Sequence, residues 1–221
     1  SADTKVALAD GRNLSFKQLV TEVKRGKQNY CYTVTNNGTI AIAPIKHPRV
    51  TKKNARVIKI ILDNNTEIIC TPDHLLMLRD GSYQQAQDLK PNHSLMPLRR
   101  KISKIGGKIT IEGYEMVFDP SRHYWIFTHL LSDLYNLSIG KYTISSGEHR
   151  HHQDFNKLNN NPDNITRLDK LEHMKLHRQL AQFGILRPDV KKKAKAMHQT
   201  PEYKEKIRQI MTTPAMKAML S

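Results

Sequence analysis

From Ala7 to about Leu98 short apolar runs alternate with turn residues, as in "NYCYTVTNNGTIAIAPI" and "ARVIKIILDNNTEIICTPDHLLMLRDGSY". Runs rich in Tyr, Val, Thr and Ile, broken by Asn-Gly, Asp-Asn-Asn and Asp-Gly, predict hairpins of an all-β domain. One helix is expected there, "LSFKQLVTEVKRG", with Ser15 as N-cap and Gly26 as stop. Beyond the basic, Gly-containing "LMPLRRKISKIGGK" the period changes from two to about 3.6. "THLLSDLYN" sets Leu130, Leu131 and Leu134 on one helical face, and "RLDKLEHMKLHRQLAQFG" repeats Leu168, Leu171, Leu176 and Leu180 before Gly184. The predicted class is α+β and multidomain: a β-rich part over residues 1–98, a mixed part over 99–184 and a helical tail over 185–221.

The tail carries an internal repeat. Pro188, Pro201 and Pro214 recur every 13 residues, followed in register by Val190, Tyr203 and Met216 and by Lys191, Lys204 and Lys217. Each unit predicts a short helix with proline at its first position, Thr200 and Thr213 serving as caps. The third copy reaches Ser221 barely two turns in, so the natural chain is expected to continue.

Composition then narrows the partners. With 38% hydrophobic residues and a formal charge of +16 over 221 residues, the chain suits a polyanion, and nucleic acid is the commonest one. Two cysteines, Cys31 and Cys70, build no disulfide scaffold and fit a reducing cytosol. No apolar run approaches the ~20 residues that span a bilayer, so a cytoplasmic protein is expected, gathered at the nucleoid when bound to DNA, with no membrane partner.

The candidate chemistry lies in "EHRHHQDFNKLNNNPDNITRLDKLEHMKLHR". His173 and His177, four apart on a helix, can address one point. A third imidazole from the preceding strand would complete a first shell for a divalent ion with positions left open. His151 and His152 are strand neighbours, so one can bind metal while the other approaches substrate from another side. A shift of strand register would present His149 instead of His151. Phosphodiester hydrolysis needs a neutral base to deprotonate water and a cation on the scissile phosphate. Asn164 can stiffen the loop by bridging its backbone groups. His123 and His129 read as ordinary polar residues.

This run of "HH", "NNNPDN", "H" and "H" resembles the His-Asn-His (HNH) nucleases, whose ββα-metal fold clasps one metal. The resemblance implies His151, His173 and His177 as metal ligands, His152 as general base and Asn164 as the loop-fixing asparagine, nine residues before His173. It also implies one divalent ion: imidazoles favour Zn2+, Mn2+ or another transition metal, while the family often runs on Mg2+. "GYEMVFDPSRHYWIFTHLLSDLYN" is similar to the lead-in of intein and phage members, and the cysteine quartet of some relatives is absent.

"SADTKVALADGR" and "IICTPDHLLMLRDGSYQQAQDL" resemble two blocks of the hedgehog/intein (Hint) domain of protein splicing. The resemblance implies Thr71 and His74 as the pair that polarises and protonates the scissile amide. Aligning Asp3 and Thr4 with the opening block puts the nucleophile upstream of Ser1, and "MTTPAMKAMLS" offers no closing His-Asn block. The chain is therefore expected not to splice unaided, and a complementary C-terminal Hint segment is an expected partner.

In the tail, residues 181–221 carry nine Lys or Arg against three Asp or Glu. The repeats resemble the modular DNA-binding helices of homing endonucleases, with Arg187, Lys191, Lys204 and Arg208 as phosphate contacts. Taken whole, the chain resembles an intein carrying an HNH homing endonuclease, with an overall likeness to inteins of bacterial DNA gyrase B subunits. Its expected partner is double-stranded DNA of the intein-free allele. The rival expectations are a splicing half with an inactive nuclease passenger, and a DNA-binding protein without catalysis.

Overall fold

A computed structural model of the chain describes residues 2–184, 192 and 195–211. It forms two compact units, Ser1–Leu168 and Asp169–Ser221. The fold is mixed α and β, and every described strand pair is antiparallel.

The first unit opens with hairpin β1 (Lys5–Ala7) and β2 (Asn13–Ser15), then helix α1 (Phe16–Lys24). Ser15 caps α1 as expected: its hydroxyl accepts from the Gln18 amide, and the Gln18 side chain accepts from the Ser15 amide. Gly26, at φ +77°, adopts the left-handed conformation that ends the helix. Arg12 clamps α1 to the hairpin, its guanidinium donating to both Glu22 oxygens at 2.6 and 3.1 Å. Those bonds hold the Glu22 carboxyl down at about 2.

Three hairpins follow: β3 (Tyr30–Val34) with β4 (Ile40–Pro44), β5 (Ile58–Ile61) with β6 (Glu67–Cys70), and β7 (Leu75–Met77) with β8 (Tyr83–Gln85). The turns fall at the Asn-Gly, Asp-Asn-Asn and Asp-Gly sites; Gly38 and Gly81 take positive φ there. The segment read as a joint supplies β9 (Arg100–Ile102), the edge of a three-stranded sheet with β10 (Glu115–Asp119) and β11 (Tyr124–Phe127).

Helix α2 (Thr128–Ser138) follows β11 without a break. The core joins Ala9, Tyr30, Ile40 and Ile42 to Val117 of β10 and Leu131 of α2. Burying each of the larger aliphatic side chains contributes about 1.5–3 kcal/mol. The apolar stripe expected on α2 is not its buried face. Leu131 is buried, but Leu134 is 54% exposed, while Thr128, His129, Ser132, Asp133 and Asn136 are buried. α2 packs on loop backbone and charged strand residues, which demand donors and acceptors rather than methyl groups.

The unit closes with hairpin β12 (His149–His152) and β13 (Ile165–Leu168), joined by a loop that ends in a 3-10 turn at Pro162–Asn164. In the second unit, α3 (Lys170–Gly184) starts later than the leucine period suggested. Arg167 and Leu168 are strand residues paired with Arg150 and His149, and the Asp169 carboxylate accepts from the Glu172 amide. α4 (Pro201–Met211) begins with Pro201, and the Thr200 hydroxyl accepts from the Tyr203 amide, as the repeat predicts. Arg187, Pro188, Val190, Lys191, Thr213, Pro214, Met216 and Lys217 lie outside the described residues. No helix among the described residues is long and apolar enough to cross a membrane.

Candidate functional site

β12 presents its histidines on alternate sides, with His151 opposite Thr166 and His152 opposite Ile165. Both are buried. The register is fixed by Asp133 of α2, which gathers β12 and β13 at once. Its carboxylate accepts from Arg167 Nε and Nη2, both at 2.7 Å, from Arg150 Nε at 3.0 Å and from the Tyr142 hydroxyl at 2.9 Å. Burial alone would push the Asp133 carboxyl up, yet the bonds from Arg167, Arg150 and Tyr142 outweigh it and hold it below the usual range. Asn136, one turn further along α2, donates to the carbonyls of Pro162 and Ile165 at 2.8 and 3.2 Å.

His152 Nε2 lies 3.0 Å from Asn160 Oδ1. The Asn160 amide nitrogen donates to Leu158 O, so its oxygen faces the imidazole and Nε2 carries the proton. Nδ1 then holds the free lone pair. Burial pushes the His152 pKa down, against the Asn160 bond that raises it, which keeps the ring neutral. Asn160 is itself buried: its backbone N–H donates to Ala9 O and its carbonyl accepts from the Ser132 hydroxyl.

Asn164 sits where the loop closes. Its Oδ1 accepts from the Asp154 amide at 3.0 Å, and its Nδ2 donates to Asp154 Oδ1 at 2.8 Å and to Asn159 O at 2.7 Å. It thus bridges the two ends of the loop behind His152, and the side chain that touches His152 is Asn160. The sequence singled out Asn164 for this loop and passed over Asn160.

His129, read as ordinary, is buried beside His152. Its ring stacks on Phe127 at 5.3 Å and meets His152 edge-on at 5.7 Å, with Tyr114 against both. Burial, with help from His152 and Arg150, pushes its pKa down to about 4. His123 is an exposed turn residue at φ +54°.

On α3, His173 and His177 bring their Nε2 atoms to 3.1 Å. Two imidazoles at about 2.0–2.1 Å from one tetrahedral ion stand roughly 3.3 Å apart, so the pair is close to a ligand geometry. His151 lies on β12 in the first unit, and His173 and His177 lie on α3 in the second. His149 Nε2 lies 3.5 Å from Glu148.

Thr71 and His74 occupy the turn between β6 and β7, where the His74 amide donates to Thr71 O at 3.1 Å. The Thr71 hydroxyl bonds the Asp73 carboxylate and, with Lys52, lowers its pKa. Lys204 and Arg208 are exposed on α4, and the Arg208 guanidinium reaches Glu205 at 3.9 Å.

No protein-family profile matches the chain. The B subunit of DNA gyrase from Synechocystis sp. is 52% identical over 222 residues, which cover 100% of this chain and 21% of that protein. Reverse gyrase of Methanocaldococcus jannaschii is 36% identical over 107 residues, 46% of this chain and 6% of that protein. The chain therefore spans about a fifth of the gyrase polypeptide it resembles.

Proposed function

We propose that the chain is an intein-encoded HNH homing endonuclease that hydrolyses phosphodiester bonds of a specific double-stranded DNA and is joined to a protein-splicing domain. The observation that carries the proposal is the neutral His152 held by Asn160, together with the His173–His177 pair, whose Nε2 atoms stand 3.1 Å apart on α3. His151, His173 and His177 would hold one divalent ion, which supplies charge stabilisation at the scissile phosphate and the leaving 3′ oxygen. His152 takes the water proton on Nδ1, because Nε2–H is committed to Asn160 Oδ1. Asn164 ties down the loop that holds Asn160, so the base keeps one orientation.

Two relatives of different name share pieces that amount to 21% and 6% of their lengths, which suits a segment that travels between host genes. Both names refer to gyrases, so the DNA target is sought in a gene of that kind. Lys204 and Arg208 of α4, with Arg187 and Lys191, serve as phosphate contacts of the tail.

The test is cleavage of supercoiled plasmid carrying an uninterrupted gyrase B gene, in Mg2+, Mn2+ or Zn2+, by the chain and by His152→Ala. Metal-dependent cutting lost in the variant is expected. Equal cutting by both overturns the assignment of the base, and retardation of DNA without any cutting favours a DNA-binding protein instead.

A second reading, a splicing half whose nuclease is a passenger, draws on the turn that brings Thr71 and His74 together after β6. Supplying a complementary C-terminal Hint segment to a chain with its upstream nucleophile restored tests it; ligated flanks are the expected product.

A further inference from the structure

We infer that the outer face of the β9–β10–β11 sheet is a second DNA-docking surface, with Arg99 and Lys101 as its phosphate contacts; this rests on the nuclease reading above. The strand register separates the two faces of that sheet. Lys101 lies opposite Met116, Met116 opposite Phe127, and Phe118 opposite Trp125, so these side chains share one face. Arg99 joins them, its carbonyl accepting from the Phe118 amide. The other face, with Val117 and Glu115, is turned into the protein: Val117 is in the core and Glu115 meets Arg100 and Tyr32.

Met116 of this face is buried, and beside it each exposed cation is paired with a ring. Lys101 Nζ stands 4.2 Å above the Trp125 ring, and the Arg99 guanidinium 5.9 Å above Phe118, whose ring meets Trp125 and His123 edge-on. Arg99 and Lys101 are exposed while Phe118 and Trp125 are half-buried beneath them. A ring under a long cationic side chain restricts its rotamers without neutralising it, which reduces the ordering cost of a phosphate contact. Arg99 directly precedes β9 and Lys101 lies within it, two residues on and about 7 Å away. No carboxylate stands among these face residues, so the charge is available to a polyanion.

The face also leads to the base. Phe127 continues the row beside Met116, its ring touches Tyr114 and His129, and both of those touch His152. Lys157 Nζ, 5.5 Å over the Tyr114 ring and bonded to Glu112 O, adds a further cation near that end. A duplex whose backbone crosses Arg99 and Lys101 is thereby guided toward the candidate base.

Trp125 is the only tryptophan of the chain, so its emission reports on this face directly. The experiment titrates the full chain with a mixed-sequence duplex, recording tryptophan emission and retardation at several salt concentrations. Arg99→Glu/Lys101→Glu, a change of four charges, is compared with Lys17→Glu, a change of two at an exposed position of α1. Expected are a quench or shift of emission on binding, an affinity loss of about tenfold or more in the double variant, and a salt slope smaller by about 2. Lys17→Glu is expected to change little. DNA retained without any emission change, or an unaltered salt slope in the double variant, overturns the surface. Cutting without the emission change refutes the face alone; the emission change without cutting refutes the nuclease reading alone; a chain that binds no duplex refutes both.

Discussion

Removing the carboxylate of Asp133 tests how the candidate site is held. The Asp133→Ala variant leaves Arg167, whose side chain is 5% exposed, with a buried charge and no counter-ion. It also deprives Arg150 and Tyr142 of their shared acceptor. Breaking a buried pair from one side costs about 3–5 kcal/mol, most of it the orphaned charge rather than the lost attraction. For a unit of this size about 1 kcal/mol moves the midpoint by about 2–4 °C, so a drop of about 6–20 °C is expected. Guanidinium chloride unfolding followed by Trp125 emission, with calorimetry beside it, provides the measurement. Combining Asp133→Ala with Arg167→Met removes the orphaned charge and is expected to recover at least half of the loss. A single variant within about 1 kcal/mol of the parent, or a double variant no better than the single, would refute the account of β12 and β13 as an electrostatically fixed hairpin.

Three further outcomes are expected. Asn160→Ala frees His152 Nε2 and removes the side-chain bond to Leu158 O, so cleavage should fall at least tenfold while stability drops by about 1–3 kcal/mol; undiminished cutting contradicts the role of Asn160. His177→Ala should weaken Zn2+ binding at least about a hundredfold by titration calorimetry, and an unchanged affinity removes His177 from the ligand set. Glu22 has its pKa lowered from 4.5 to about 2 by Arg12, so its stabilisation is complete above 4.5 and disappears as the pH falls toward 2. With screening at this partly exposed pair it amounts to about 1–2 kcal/mol, and Glu22→Gln should flatten the acid side of the stability profile by that much.

What the sequence disclosed depended on how local the cause was. Turns at Gly38 and Gly81, the Ser15–Gln18 cap and the Thr200–Pro201 start follow from a few adjacent residues, and these could be read directly. The histidine spacing on α3 is equally local. Non-local packing overruled the rest. Leucine period suggested an apolar buried face for α2, but that face meets the 160–165 loop and Arg167, so Ser132, Asp133 and Asn136 occupy it. Arg167 and Leu168 matched a helical repeat until strand pairing with Arg150 and His149 claimed them. His129 was passed over because its neighbours Tyr114 and His152 are distant in sequence. Asn164 was named as the residue that stiffens the loop, but Asn160 was passed over, since only the folded loop decides which asparagine faces His152.

Asn160 has a consequence for how such a chain can change over generations. One residue ties its main chain to the opening segment at Ala9, its carbonyl to α2 and its side chain to His152. Mutational drift in the opening segment is therefore felt at His152, and neither can decay quietly while the other stays intact.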